Sequence, residues 1–202
     1  YSLPQDGCDV RHNTSTTAIA SHCAYATNGG FFVLPGEGCL GNIVLGGKVV
    51  RVGAAAEQNH ANFGVFPNGS VGVGLITDAK EVSELGFSEL LSGRGWIVNT
   101  GALWVDQTPD LDPWSSFVTE KAPRTGVGVC ANGTIALLQV DGEEDIGSGF
   151  DLYEFAQLFV DLGVEHAVNL DGGGSSVSVL NGKVISRPTC DDTPVKCERP
   201  VT

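Results

Sequence analysis

Methionine is absent from all 202 residues, and so is any apolar run long enough to cross a membrane, which takes about 18 residues. The second absence excludes a transmembrane helix and direct membrane insertion by one. Positive charge is scarce: 11 basic residues face 24 acidic ones, and the formal charge of −13 repels nucleic acid and anionic lipid surfaces. Any anionic ligand must therefore meet a local exception. No pair of cysteines has the Cys-x-x-Cys spacing of a structural zinc site, no alternating acidic loop suggests calcium, and no segment repeats. Ser175 and Ser176 lack the Gly-x-Ser-x-Gly elbow of a hydrolase triad, and His12, His22, His60 and His166 share no motif with them, so His166 reads as a packed strand residue. No metal or other cofactor is implied.

Six cysteines are present, an even number that reads as disulfides in an oxidising compartment. Sequence does not choose among the pairings, except that Cys190 with Cys197 is a local guess because Pro194 favours a turn between them. Asn13, Asn68 and Asn132 each open an Asn-x-Ser/Thr glycosylation sequon, the last two on expected hairpin tips. With a chain that starts at Tyr1, these features are expected of a mature protein of the secretory pathway, whether outside the cell or in the Golgi or lysosomal lumen, whose signal has been removed.

Two-residue turns between β-rich runs organise the chain as one domain, 1–202, without a linker. Gly46-Gly47 joins 43–45 to 48–52, Asn68-Gly69 joins 63–66 to 71–76, Asn132-Gly133 joins 126–130 to 134–140, and Asn181-Gly182 joins 177–180 to 183–186. A fifth hairpin is expected across Asn99-Thr100-Gly101. Helices are fewer: 151–162, with Asp151 and Glu154 as a capping pair and Leu152, Phe155, Phe159 and Leu162 on one stripe; 14–25; and 78–91, interrupted at Gly86. The fold class is α+β, a mainly antiparallel or mixed β-sheet built from hairpins with about three packed helices.

One stretch stands out as a site: Asn169-Leu170-Asp171-Gly172-Gly173-Gly174-Ser175-Ser176. The apolar run before it delivers the Asp171 carboxylate to a strand end, and the glycines can expose N–H groups to an anion. A wide glycine loop is the plain alternative. Its expected partners are Arg124, which opens a hairpin after Pro123, and Asp141, a second carboxylate before glycine at a strand end. For these two, a surface ion pair and an Asp-Gly turn are the plain readings. Asn28 and Gly29 sit where a helix is expected to give way to a strand through Phe31 and Phe32, which local rules read as a cap.

Taken in order, Asn28-Gly29-Gly30-Phe31-Phe32, Cys39-Leu40-Gly41-Asn42, Arg124-Thr125-Gly126-Val127-Gly128, Asp141-Gly142, the Asn169–Ser176 run and Val179-Leu180-Asn181-Gly182 resemble the phosphodiester glycosidase domain family over about residues 8 to 201. Cys23, Cys39, Cys190 and Cys197 match that pattern too; Cys130 does not. The resemblance implies an enzyme that hydrolyses a sugar-1-phosphodiester, of the N-acetylglucosamine-phosphodiester kind, to free sugar and phosphomonoester. A glycan or sugar phosphodiester is then the substrate, and association with other chains is left open. The animal members carry a further strand on each side of the matched region, so either the chain is a portion of a longer one or its sheet is completed differently.

The chemistry agrees. A phosphomonoester, with its second pKa near 6, leaves more readily than an alcohol. The site then needs a phosphate grip and a carboxylate facing the anomeric carbon. On this reading Asp171 is nucleophile or base, Asp141 the second carboxylate, and Arg124 the bidentate phosphate ligand. Gly172, Gly173, Gly174 and Ser175 supply backbone N–H groups, and Asn28, Gly29 and Asn169 complete the substrate contacts. Two other functions compete: a catalytically inactive glycan-binding or structural extracellular glycoprotein of the same fold, and a metal-dependent phosphodiesterase using Asp141 and Asp171 as ligands.

Overall fold

The computed structural model describes residues 1–4, 7–33, 38–190 and 196–202. In chain order the elements are α1 (Thr14–Ala20), β1 (Tyr25–Thr27), β2 (Ile43–Leu45), β3 (Lys48–Arg51), β4 (Ala61–Val65), β5 (Val71–Leu75) and α2 (Ala79–Glu84). Then follow β6 (Glu89–Gly93), β7 (Trp96–Asn99), β8 (Ala102–Leu103), α3 (Ser116–Thr119), β9 (Arg124–Cys130), β10 (Ile135–Val140), α4 (Leu152–Asp161), β11 (Val164–Asn169), β12 (Ser178–Leu180) and β13 (Lys183–Val184). Three sheets result, with strand orders β1-β12-β13, β10-β9-β11-β7-β8 and β3-β2-β6-β4-β5, and every pairing within them is antiparallel. The α+β class built from hairpins is what the turn signals implied.

All five hairpins form. Their turns need left-handed backbone, which Gly46, Gly47, Gly69, Gly133 and Gly182 accept readily and which Asn181 (φ 48°) and Thr100 (φ 50°) also adopt. The helices differ from expectation. The first stops at Ala20 because His22 takes φ 54°, which no right-handed helix tolerates, and the chain then enters β1. The second stops at Glu84, ahead of Gly86 (φ 69°), and residues 89–91 belong to β6, the central strand of its sheet. Residues 31–32 make only a single bridge, Phe32 to Cys39, and no strand.

Strand β9 explains how the layers meet. Thr125, Val127 and Val129 alternate toward the second five-stranded sheet, where Val127 and Val129 pack with Ala61, Phe63, Val168 and Leu170. Gly126 and Gly128 face the other way, and a β-carbon at Gly126 would come within 2.9 Å of the Phe155 ring. Their bare backbone lets α4 lie close, burying Leu152, Phe155, Ala156 and Phe159 against Ile97, Val98, Val164 and Ala167. Helix α4 starts with the anticipated box: Asp151 Oδ1 accepts from Glu154 N–H at 2.9 Å, and Glu154 Oε2 accepts from Asp151 N–H at 3.2 Å. Phe155→Ala would open a cavity under β9, and we expect a loss of about 3–5 kcal/mol in urea unfolding.

Two disulfides close, Cys8–Cys39 and Cys190–Cys197, the second as guessed; Pro194 lies outside the described residues. The expectation that all six cysteines pair is corrected, since Cys23, in the connection from α1 to β1, and Cys130, at the end of β9, are free thiols. The tail from Cys197 docks on α1: Glu198 accepts from the Ser15 N–H and Oγ–H, both at 2.7 Å, supplying a negative charge at that helix's start. No helix among the described residues is long and apolar enough to cross a membrane.

Candidate active site

Register puts Arg124 beside Asp171. Strands β9 and β11 run antiparallel with Asn169 opposite Gly126, so the chain leaving β11 passes the beginning of β9. Leu170 N–H donates to Thr125 O at 2.9 Å, and Gly173 N–H to Pro123 O at 2.9 Å. A β-carbon on Gly172 would lie 3.9 Å from Arg124 Cα and Cδ. Two residues separated by 47 positions thereby share one end of the sheet.

Backbone contacts fix Asp171 from below. Its N–H donates to Gly29 O at 3.1 Å, its carbonyl accepts from Asn28 Nδ2 at 2.7 Å, and its Oδ1 accepts from Gly172 N–H at 3.0 Å. Asn28, 2% exposed, also accepts at Oδ1 from Thr125 Oγ1 (2.8 Å) and Val177 N–H (3.2 Å). Its side chain is turned inward and spent on holding the loop. Asn169 is buried as well: Nδ2 donates to Arg94 O at 3.1 Å, and Oδ1 has no hydrogen-bond partner among the described residues.

The glycine run does not form the expected row of free N–H groups. Gly172 N–H turns to Asp171 Oδ1, Gly173 N–H to Pro123 O, and Ser175 N–H to Gly172 O, closing a short 3-10 turn. The glycines serve by lacking side chains. A β-carbon on Gly172 would stand 2.8 Å from Pro123 O, one on Gly173 would strike Glu144 Oε1, and one on Gly174 would strike Arg199 Nη2. Three successive bare positions thus seat a carbonyl, a carboxylate and a guanidinium against the backbone that carries Asp171.

Glu144 and Arg199 join the candidate site without having been legible in the sequence. Glu144 lies in the short 3-10 turn Glu144–Ile146 after β10. Arg199 is brought in by the Cys190–Cys197 bridge, with Nε donating to Cys190 O at 2.7 Å and Nη1 reaching 3.5 Å from Ser175 Oγ. The available signal was Arg199's place next to a paired cysteine in a chain with few basic residues. Asp141 sits one position beyond Val140, which pairs with Arg124, but it is exposed and its Oδ1 accepts from Gln139 Nε2 and Arg187 N–H, both at 2.9 Å.

Burial, above all, pushes the Asp171 carboxyl up to about 7, and Glu144 adds to the rise; the Ser175 hydroxyl, Gly172 N–H and Arg199 pull the other way. The residue keeps some exposure, so a carboxyl held in low dielectric still has a route to solvent. Arg124, only 4% exposed, donates from Nε to Phe150 O (3.0 Å) and from Nη2 to Glu120 O (2.8 Å). Burial lowers its pKa, while Glu144, Asp151 and Glu120 act to raise it. Two backbone carbonyls hold the guanidinium rigidly through Nε and Nη2. No group of three or more His, Cys, Asp or Glu able to hold a metal ion occurs among the described residues.

Comparison with known proteins places this geometry. A model of the phosphodiester glycosidase family matches residues 21–202. The N-acetylglucosamine-1-phosphodiester alpha-N-acetylglucosaminidase of Bos taurus is 35% identical over 209 residues, covering 97% of this chain and 39% of that protein. The Homo sapiens protein of the same name is 33% identical, covering 97% of this chain and 40% of its own length. This chain therefore spans well under half the length of these relatives. The catalytic domain of the zebrafish protein of that name, solved in a form auto-inhibited by its pro-peptide, superposes with a TM-score of 0.84 at 31% identity, covering 96% of this chain and 66% of that one. A hypothetical protein from Synechocystis shares the fold, with a TM-score of 0.77 at 16% identity. On the family match and the extent of these similarities, the chain belongs to the phosphodiester glycosidase family.

Proposed function

We propose that this chain hydrolyses the bond between an anomeric carbon and the phosphate of a sugar-1-phosphodiester, releasing free sugar and a phosphomonoester. One observation carries the reading: the backbone next to Asp171 packs against Arg124, Glu144 and Arg199 through three glycines, and burial pushes the Asp171 carboxyl up to about 7. Asp171 acts on the anomeric carbon, directly or through water, and steadies the positive charge that develops on the ring. Arg124, helped by Arg199, holds the phosphate and its growing charge. Glu144 takes the role of second carboxylate that the sequence reading gave to Asp141. Asn28 and Gly29 position Asp171 through its backbone. Family membership, and the activity that relatives 33–35% identical are named for, support N-acetylglucosamine as the sugar. The two disulfides and the exposed sequons at Asn68 and Asn132 support a glycosylated protein of the secretory pathway.

Hydrolysis of a methyl N-acetylglucosamine-1-phosphodiester in ¹⁸O-labelled water tests the proposal. Label in the released sugar and none in methyl phosphate is the expected result; label in the phosphate would mean cleavage of the P–O bond and would overturn it. A separate expectation concerns Gly173, whose φ of 55° and contact with Glu144 disfavour any side chain. Gly173→Ala should cost roughly 1–2 kcal/mol of stability yet lower kcat/KM by about tenfold or more, because it displaces a carboxylate that faces the reacting atoms. Urea midpoints and initial rates on the same preparation separate the two effects.

A further inference from the structure

We propose that Arg94 is a second phosphate-binding residue of this site and that Phe117 sets its separation from Arg124. The inference rests on the function proposed above and assigns it a substrate contact outside the glycine loop.

Arg94 follows β6 and is tied to the strand that delivers Asp171. Its N–H donates to Asn169 O at 2.9 Å, and its carbonyl accepts from Asn169 Nδ2. Asn169 is two residues from Asp171, so the backbone of Arg94 is as well positioned as the carboxylate itself. The Arg94 guanidinium lies over the Phe117 ring, 4.1 Å from its centroid, and the Arg124 guanidinium approaches the same ring at 5.5 Å. Phe31, two residues after the Gly29 carbonyl that holds Asp171, closes on Phe117 with centroids 6.1 Å apart. One aromatic ring thus lies against both guanidiniums.

Neither cation is neutralised by an ion pair. Ion pairs join Arg51 to Glu57, His60 to Asp110, and Lys121 to Asp151 and Glu154, and none among the described residues involves Arg94 or Arg124. The carboxylate nearest Arg94 in effect is Asp110, whose oxygens are committed to His60 N–H, His60 Nδ1 and Ala61 N–H. Arg94 reaches only the Asp110 main-chain carbonyl, at 3.5 Å. In a chain with more than twice as many acids as bases, two half-buried or buried guanidiniums lie against one ring, neither in an ion pair although Asp110 acts on Arg94 and Glu144, Asp151 and Glu120 act on Arg124 from beyond ion-pair distance, and an anion would offset the cost of their burial. A phosphodiester bearing one negative charge across two free oxygens suits that pair, one guanidinium serving each side.

The test uses inorganic phosphate and a sugar-1-phosphodiester together. Arg94→Gln should weaken phosphate binding, read by calorimetry, by about tenfold, and the loss in hydrolysis should fall on KM more than on kcat. Arg94→Lys should recover part of the affinity, since it keeps the charge but loses the fork and the stacking on Phe117. Phe117→Leu should weaken phosphate binding with Arg94 intact. Phosphate affinity and KM in Arg94→Gln equal to those of the unaltered chain would overturn the proposal, and Arg94→Lys answers the same question if the glutamine variant folds poorly. If no sugar-1-phosphodiester is turned over, the proposed function fails, but the phosphate titrations still decide the role of Arg94.

Discussion

Asp171→Asn is expected to lower kcat by about 10²–10⁴-fold while the fold survives. Asparagine has the volume of aspartate and can still accept the Gly172 N–H bond, and neither Asn28 nor Gly29 touches the altered group, because both bind the main chain of residue 171. What disappears is the charge that the proposed mechanism sets against the anomeric carbon. The partner change at Arg124 reads differently. Alanine there would also remove the hydrogen bonds to the Phe150 and Glu120 carbonyls and empty the space that the 4%-exposed Arg124 side chain fills, at a cost in stability of its own. Activity lost in Arg124→Ala would thus mix chemistry with folding, whereas Asp171→Asn isolates the chemistry. Circular dichroism and the urea midpoint of the asparagine variant should match those of the parent at acid pH. Turnover within a factor of a few of the parent would remove Asp171 from the mechanism.

The hairpins were legible because their turns are local: Asn-Gly and Gly-Gly pairs meet a backbone requirement that few other residues satisfy. Asp171 was legible for a similar reason, a carboxylate beside three residues without side chains. The reason for those glycines was not. The anticipated anion nest needed only the run itself, but the structure uses the run as seats for Pro123, Glu144 and Arg199, which arrive from 25 to 49 positions away. Such seats follow from the pairing of β9 with β11 and from the disulfide that pins the tail, and neither leaves a local mark. Strand β6 shows the same limit. Its Glu89-Leu90-Leu91 start reads as the continuation of a helix, and only pairing with β2 and β4 on its two sides makes it a strand. Asp141 had the right local chemistry, carboxylate then glycine at a strand end, yet its hydrogen bonds go to Gln139 and the Arg187 backbone, while the short turn three residues later carries the carboxylate that meets Gly173.

One ionisation should drive stability and activity in opposite directions over the same pH range. In the unfolded chain the Asp171 carboxyl titrates near its ordinary 3.8, and in the folded protein near 7. Between those values the folded state binds more protons than the unfolded state, so stability falls as pH rises from about 4 to 7 and is level on either side. The full gap corresponds to at most about 4 kcal/mol, and the residue's partial exposure to solvent reduces this to roughly 2–3 kcal/mol. Asp171→Asn should abolish the slope and be more stable than the parent at pH 8, with little difference at pH 4. Catalysis by the ionised carboxylate requires the reverse trend: kcat/KM should climb about tenfold per pH unit below 7 and level off above it. Arg199 favours the charged form and Glu144 opposes it, so Arg199→Gln should move the midpoint up and Glu144→Gln should move it down. Chemical denaturation and initial rates across pH 4 to 8 read both curves. A kcat/KM that falls through neutrality would assign the protonated carboxyl as the working form, and a stability curve with no slope between pH 4 and 7 would mean that Asp171 is not held in the low-dielectric pocket that gives the site its chemistry.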